Sequence, residues 1–128
     1  MDQKKILIAD DEPSLRLLVS STLEDERFEI IQAVDGTDAL QKAQKHQPDL
    51  IILDLMMPNM SGIEVCRTIK SLPTLHTPQI IVLTAKGQEQ DIKEAAKAGA
   101  DRYLKKPFSP LELLTAVEEA LGSGTITK

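Results

Sequence analysis

Three short aliphatic runs constrain this chain more than any other feature: Ile6-Leu7-Ile8-Ala9, Leu50-Ile51-Ile52-Leu53 and Ile80-Ile81-Val82-Leu83. None contains a polar alternate. A strand with one wet face alternates apolar and polar residues, whereas a run that is apolar at every position suits a parallel strand covered on both faces. Two weaker runs, Phe28 to Ala33 and Arg102 to Leu104, carry more polar residues and read as edge strands.

Helical patterns lie between the runs. Leu15, Leu18, Val19, Thr22 and Leu23 share one helical face, as do Gly62, Val65, Cys66 and Ile69. Ile92, Ala95, Ala96 and Gly99 form a narrow stripe of mostly small residues, and Leu113, Leu114, Val117 and Leu121 form the last stripe. Ser61 with Glu64, and Ser109 with Glu112, have the spacing of a capping box, and Pro110 fits a first helical turn. Asp35-Gly36-Thr37-Asp38 reads as a turn leading into a helix.

Strand and helix therefore alternate five times, which predicts an α/β fold: a five-stranded parallel sheet with five helices on its two faces. Right-handed crossovers and polar edge strands favour the order 2-1-3-4-5, the flavodoxin-like arrangement. The domain is expected to span residues 1–121, with 122–128 a flexible tail or linker stub.

Composition excludes several function classes. Aromatic residues make up only 2% of the chain, so the core has to be aliphatic. A net charge of −5 argues against direct binding to nucleic acid by this domain. No stretch has the ~18 apolar residues of a membrane span. The single cysteine, Cys66, permits no internal disulfide, which fits a cytoplasmic protein.

In such a sheet, ligands bind beyond the carboxyl ends of the strands, near the switch in strand order. The first run ends in Asp10-Asp11-Glu12, the third in Asp54 and the fourth in Thr84-Ala85, and Lys106-Pro107 follows the fifth. One cleft would gather three carboxylates, a hydroxyl and an ammonium. At ~4 Å and an effective dielectric of ~20, each carboxylate pair repels by roughly 4 kcal/mol. The cluster must protonate, hydrate or bind a cation. An all-oxygen donor set suits Mg²⁺, and a carboxylate flanked by a hard metal and a lysine can accept a phosphoryl group.

Asp10-Asp11, Asp54 with Pro58 four places on, Thr84-Ala85, Gly99-Ala100-Asp101-Arg102-Tyr103 and Lys106-Pro107-Phe108 together resemble the signature of response-regulator receiver domains of two-component signalling, over residues 4–121. The resemblance implies a phosphorylation-activated switch rather than an enzyme acting on an external substrate. Asp54 would be the phosphoacceptor. Asp11, Asp54 and the backbone carbonyl of Met56 would ligate Mg²⁺ directly, with Asp10 acting largely through water. Thr84, Lys106 and the backbone N–H of Ala85 would bind phosphoryl oxygens. Tyr103 would be an aromatic switch coupled to Thr84, moving the surface of the fourth helix, fifth strand and fifth helix. The Lys106–Pro107 peptide would be cis. The implied partners are a histidine kinase or phosphotransfer protein and a downstream protein or C-terminal output domain. The last helix, Leu111 to Leu121, lacks arginine, unlike the pattern of receivers that dimerise, and a monomer is expected before phosphorylation.

Each residue also has a plain structural reading. Asp10-Asp11 would cap the first helix, Asp54 would form a turn, and Thr84, Lys106 and Tyr103 would be a strand residue, a solvated lysine and edge packing. Cys66 reads as an inert buried thiol, and His46 and His76 as non-ligands. A flavin protein of the same topology would need a Ser/Thr/Gly-rich loop after the first run, where Asp10-Asp11-Glu12 stands instead. A phosphatase of the Asp-x-Asp kind would need a carboxylate at Met56. A degenerate receiver acting only as an interaction module is the nearest rival. Met56 and Lys86 occupy positions two after Asp54 and Thr84, where they would hinder water attacking an acyl phosphate.

Overall fold

Every residue of Leu50–Asp54 is buried, and it is the middle strand of a five-stranded parallel sheet. The computed structural model describes residues 3–72, 77–85 and 89–122. In chain order the elements are β1 (Lys4–Ala9), α1 (Pro13–Thr22), β2 (Phe28–Ala33), α2 (Gly36–His46), β3 (Leu50–Asp54), α3 (Gly62–Ser71), β4 (Gln79–Thr84), α4 (Glu89–Ala98), β5 (Arg102–Lys105) and α5 (Pro110–Ala120). The sheet order is β2-β1-β3-β4-β5, as the run pattern predicts, with the two polar runs at the edges. The tail residues 123–128, Lys86 and His76 lie outside the described residues.

Alternate strand residues point to opposite faces, and this divides the core in two. Leu7, Ala9, Ile51, Leu53, Ile80 and Val82 pack under α2, α3 and α4. Ile6, Ile8, Leu50, Ile52, Ile81 and Leu83 pack under α1 and α5. Each fully buried aliphatic side chain contributes roughly 1.5–3 kcal/mol, so the uninterrupted runs are the main source of stability and hold the strand ends in register.

Both capping boxes form: the Ser61 and Ser109 hydroxyls accept the Glu64 and Glu112 N–H, and each glutamate accepts its serine's N–H in return. Asp35 is the N-cap of α2, accepting the Asp38 N–H at 2.8 Å, so the helix starts at Gly36, inside the segment read as a turn. Asp10 and Asp11 do not cap α1. Its N-cap is Glu12, whose side chain makes no capping bond, and Pro13 opens the helix.

Two helical faces differ from the expected stripes. Leu18 is 47% exposed while Val19 and Leu23 are fully buried, so the buried face of α1 is narrower than the apolar pattern. In α4, Ala95 and Ala98 are buried and Ala96 is exposed, and Gly99 lies past the helix end at φ 115°. Alanine is at home on either face of a helix, so it marks a face poorly. Among the described residues, no helix is long and apolar enough to cross a membrane.

Candidate functional site

The strand pairing aligns the carboxyl ends. Ala9 pairs with Leu53, Asp54 with Leu83 and Thr84 with Lys105. The residues at or just beyond these ends, Asp10, Asp54, Thr84 and Lys106, thus line up across four adjacent strands. The carboxylates of Asp10, Asp11 and Asp54 each offer an oxygen, all within 4.8 Å of one another. Lys106 Nζ stands 3.5 Å from Asp10 Oδ2 and 3.5 Å from Asp54 Oδ1. The lysine is placed by its own backbone, which donates to the Thr84 carbonyl at 2.7 Å, and the peptide to Pro107 is cis.

The cluster is strained electrostatically. Asp10 is fully buried and Asp54 is 7% exposed, whereas Asp11 is open to solvent. Burial, reinforced by the negative charge of Asp10, raises the Asp54 carboxyl from 3.8 to about 6 despite the nearby Lys106. Burial likewise raises Asp10, opposed by the Glu12 N–H and by Lys106. Asp10 Oδ1 accepts that N–H at 2.9 Å, while among the described residues its buried Oδ2 makes no hydrogen bond and has Lys106 as its nearest cation. A buried carboxylate oxygen lacking a hydrogen-bond donor, beside two other carboxylates, fits the demands of a hard divalent cation. The donor set therefore suits a metal ion such as Mg²⁺.

Not every candidate joins the cluster. Thr84 is fully buried at the end of β4, and its Oγ1 has no hydrogen-bond partner among the described residues. Met56 is 62% exposed, and its backbone N–H lies 3.4 Å from Asp54 Oδ1. Ala85 directly follows Thr84 at the surface. Tyr103 is 55% exposed on β5, opposite Val82, beside a cavity of about 80 Å³ bounded by Val82, Ile92, Ala96 and Ala100. A groove of about 360 Å³ runs from Lys106 along Glu12, Leu15, Leu18, Pro107 and Phe108. Cys66 is buried in the core, and burial pushes its thiol up to about 11, so it is an unreactive packing residue.

Sequence reasoning missed Arg16, whose Nη1 donates to the Asp10 carbonyl at 2.6 Å and whose Nε reaches Gln32. It steadies the loop that carries the acidic pair. Only its place one helical turn after Glu12, facing the strand end, hints at this.

A doubly wound sheet with an acidic cluster and a lysine at its strand-order switch defines a class of α/β proteins that bind charged ligands at that edge. The comparisons with known proteins narrow it. Residues 6–118 match the response regulator receiver domain family, and the chain belongs to it. It is 43% identical over 118 residues to the alkaline phosphatase synthesis transcriptional regulatory protein PhoP of Bacillus subtilis, covering 92% of this chain and 48% of that protein. It is 45% identical over 120 residues to the transcriptional regulatory protein ResD of the same organism, covering 94% and 49%. The chain thus spans about half the length of these curated relatives. Among solved structures, the chemotaxis response regulator CheY4 of Vibrio cholerae superimposes with a TM-score of 0.86 at 37% identity, covering 94% of this chain and all of that one. The chain is therefore a receiver domain of two-component signalling.

Proposed function

We propose that this receiver domain accepts a phosphoryl group on Asp54 from a phosphohistidine donor and changes its α4–β5–α5 surface in response. The observation that carries the reading is the placement of Lys106 Nζ 3.5 Å from both Asp10 and Asp54, at the edge of three converging carboxylates. Above a pH of about 6, Asp54 is mainly ionised and able to act as a nucleophile. A carboxylate oxygen attacks phosphorus, the P–N bond to the donor imidazole breaks, and the imidazole keeps the electron pair and later takes a proton. In the hydrolytic step that resets the site, water attacks phosphorus, the P–O bond to Asp54 breaks, the Asp54 carboxylate is regenerated, and inorganic phosphate and a proton leave to solvent. Asp11, Asp54 and the Met56 carbonyl would hold Mg²⁺, with Asp10 bound through water; the metal would supply charge neutralisation to the transferring oxygens. Lys106, Thr84 and the Ala85 N–H would bind those oxygens. The apolar groove beside α1 opens on the same rim as Lys106.

The direct test is incubation with acetyl phosphate and Mg²⁺, followed by intact mass spectrometry. One added phosphoryl group is expected on the parent protein and none on Asp54→Asn or in chelator. Incorporation into Asp54→Asn at the parent rate would remove Asp54 from its role.

The same reading supports an output route. A phosphoryl group brings up to two negative charges and new acceptor oxygens to the end of β3. The buried, unpartnered Thr84 hydroxyl is the neighbouring donor, and the cavity beside Tyr103 leaves room for that ring to move inward. With beryllofluoride and Mg²⁺ as an acyl-phosphate mimic, amide shift changes are expected from Asp54 through Thr84 to Tyr103, α4 and α5. In Thr84→Ala they should stay at the site. Changes confined to α1, with Tyr103 unaffected, would place the output face elsewhere.

A further inference from the structure

The loop between β3 and α3, residues 55–61, contains Met56, whose carbonyl the reading above gives to the metal. A loop that offers a ligand through its backbone needs fixed anchors. Near its ends, the Leu55 N–H donates to Leu83 O at 3.3 Å and the Gly62 N–H to Leu55 O at 2.9 Å. At its tip the backbone passes through Asn59 at φ 72°, a left-handed conformation that asparagine adopts more readily than most residues. From this point Asn59 Nδ2 donates to Asp35 Oδ2 at 2.7 Å.

Asp35 is itself held firmly. Its Oδ1 caps α2 through the Asp38 N–H, and Asp38 Oδ2 accepts the Val34 N–H at 3.0 Å and pairs with Lys42 at 3.3 Å. The Asp38 N–H and the Asn59 amide together lower the Asp35 carboxyl below its ordinary value, so it remains an anionic acceptor. Gly36, next along the chain, lies so close against the Met60 carbonyl that no side chain fits between them. The α2 corner therefore grips the loop in two places, once by a side chain and once by contact.

We propose that Asn59 is a positioning residue for the phosphoryl site: its bond to Asp35 fixes the 55–61 loop and with it the Met56 carbonyl. The inference rests on the reading of that carbonyl as a metal ligand. A solvent-exposed hydrogen bond adds little to global stability, but an unanchored loop must be ordered each time the metal binds, and that cost appears in affinity. Asn59→Gly keeps the left-handed backbone and removes the amide. Asp35→Ser keeps a capping oxygen but has no second oxygen to accept from the Asn59 amide.

Each single variant should weaken Mg²⁺ binding roughly tenfold, the low end of what is lost when the partner that orients a metal ligand is removed. Calorimetric titration reads this directly. The Mg²⁺ concentration for half-maximal phosphorylation by acetyl phosphate should rise in parallel, with the rate at saturating Mg²⁺ unchanged. Melting in chelator should stay within about 2 °C of the parent. The exchange Asp35→Asn with Asn59→Asp reverses donor and acceptor and should recover affinity over Asp35→Ser and Asn59→Gly. Equal Mg²⁺ affinity in the parent and both single variants overturns the proposal and leaves the phosphoryl reading intact, whereas a parent that binds no Mg²⁺ overturns both. Affinity lost in step with melting temperature, and unrecovered by the exchange, reduces Asn59 to a structural residue and also overturns it.

Discussion

Asp54→Asn is expected to stabilise the metal-free protein by about 3 kcal/mol near neutral pH, the free energy that corresponds to raising the carboxyl from 3.8 to about 6. For a chain of this length that is a rise in melting temperature of about 10 °C. The sign follows from proton linkage. A carboxyl whose pKa is higher in the folded state binds protons more tightly when folded, so stability falls as pH rises between about 4 and about 6. Below that window the carboxyl is neutral in both states and asparagine gains nothing. Above it the folded protein carries the full penalty, and the substitution removes it. Asp54 is only 7% exposed, so solvent screening does little to reduce the effect. Repulsion from Asp10 is already contained in that raised value, second to burial. Asp11→Asn relieves the same cluster from an exposed position and should give a smaller gain. Added Mg²⁺ should reverse the order, raising the melting temperature of the parent by mass action while leaving Asp54→Asn nearly unchanged. Thermal melts across pH 4 to 8, in chelator and separately with added Mg²⁺, measure all of this. A variant that melts no higher than the parent near neutral pH would mean that Lys106 already neutralises the site.

The acidic cluster was legible in the sequence because every member sits at the end of a strand that reads unambiguously. Once Leu50–Leu53 and Ile80–Leu83 are buried parallel strands, Asp54 and Thr84 must emerge at the same edge as Asp10. Features joining residues distant in sequence were not legible. Asn59 and Asp35 are polar, partly exposed and 24 positions apart, and no periodicity links them. Arg16 looks like any solvated helical arginine until the helix is docked on the strand end. Helix faces failed where side-chain size failed to discriminate: Ala96 and Ala98 carry the same side chain, and only packing against α3 selects the second. Leu18 satisfied the apolar stripe of α1 yet stays half-exposed, lining the groove beside Lys106. An apolar residue on a helix shows where burial is possible, not where a neighbour exists to provide it.

Gly62 shows the same gap with the largest expected cost. The sequence places it on the buried stripe of α3, where its lack of a side chain looks incidental. On helix propensity alone, alanine at this first helical position would stabilise the protein by up to about 1 kcal/mol. The structure reverses that sign. An alanine Cβ here would collide with the Asp54 carbonyl oxygen and stand 2.7 Å from Leu55 Cα. Both are backbone atoms of the central strand and its exit, pinned by the Gly62–Leu55 hydrogen bond of 2.9 Å, so neither can rotate away as a flexible side chain would. Either α3 lifts off β3, breaking the Gly62–Leu55 hydrogen bond, or the end of β3 shifts. Overpacking of this kind costs about 3 kcal/mol, and Gly62→Ala should melt about 10 °C below the parent. Displacing the Asp54 backbone also moves its carboxylate relative to Asp10 and Lys106, and a misplacement of about 1 Å lowers the rate of a positioned reaction by roughly a hundredfold. Phosphorylation by acetyl phosphate at saturating Mg²⁺ should fall by that order in whatever fraction remains folded. Gly122→Ala separates this from a general cost of losing glycine. At φ 74° with no atom of the other described residues within 4 Å of the added carbon, it should cost about 1 kcal/mol through backbone conformation and leave the phosphorylation rate unchanged. If Gly62→Ala instead melts at or above the parent temperature with its rate intact, the close approach of α3 to the phosphoacceptor strand is not a constraint on this fold.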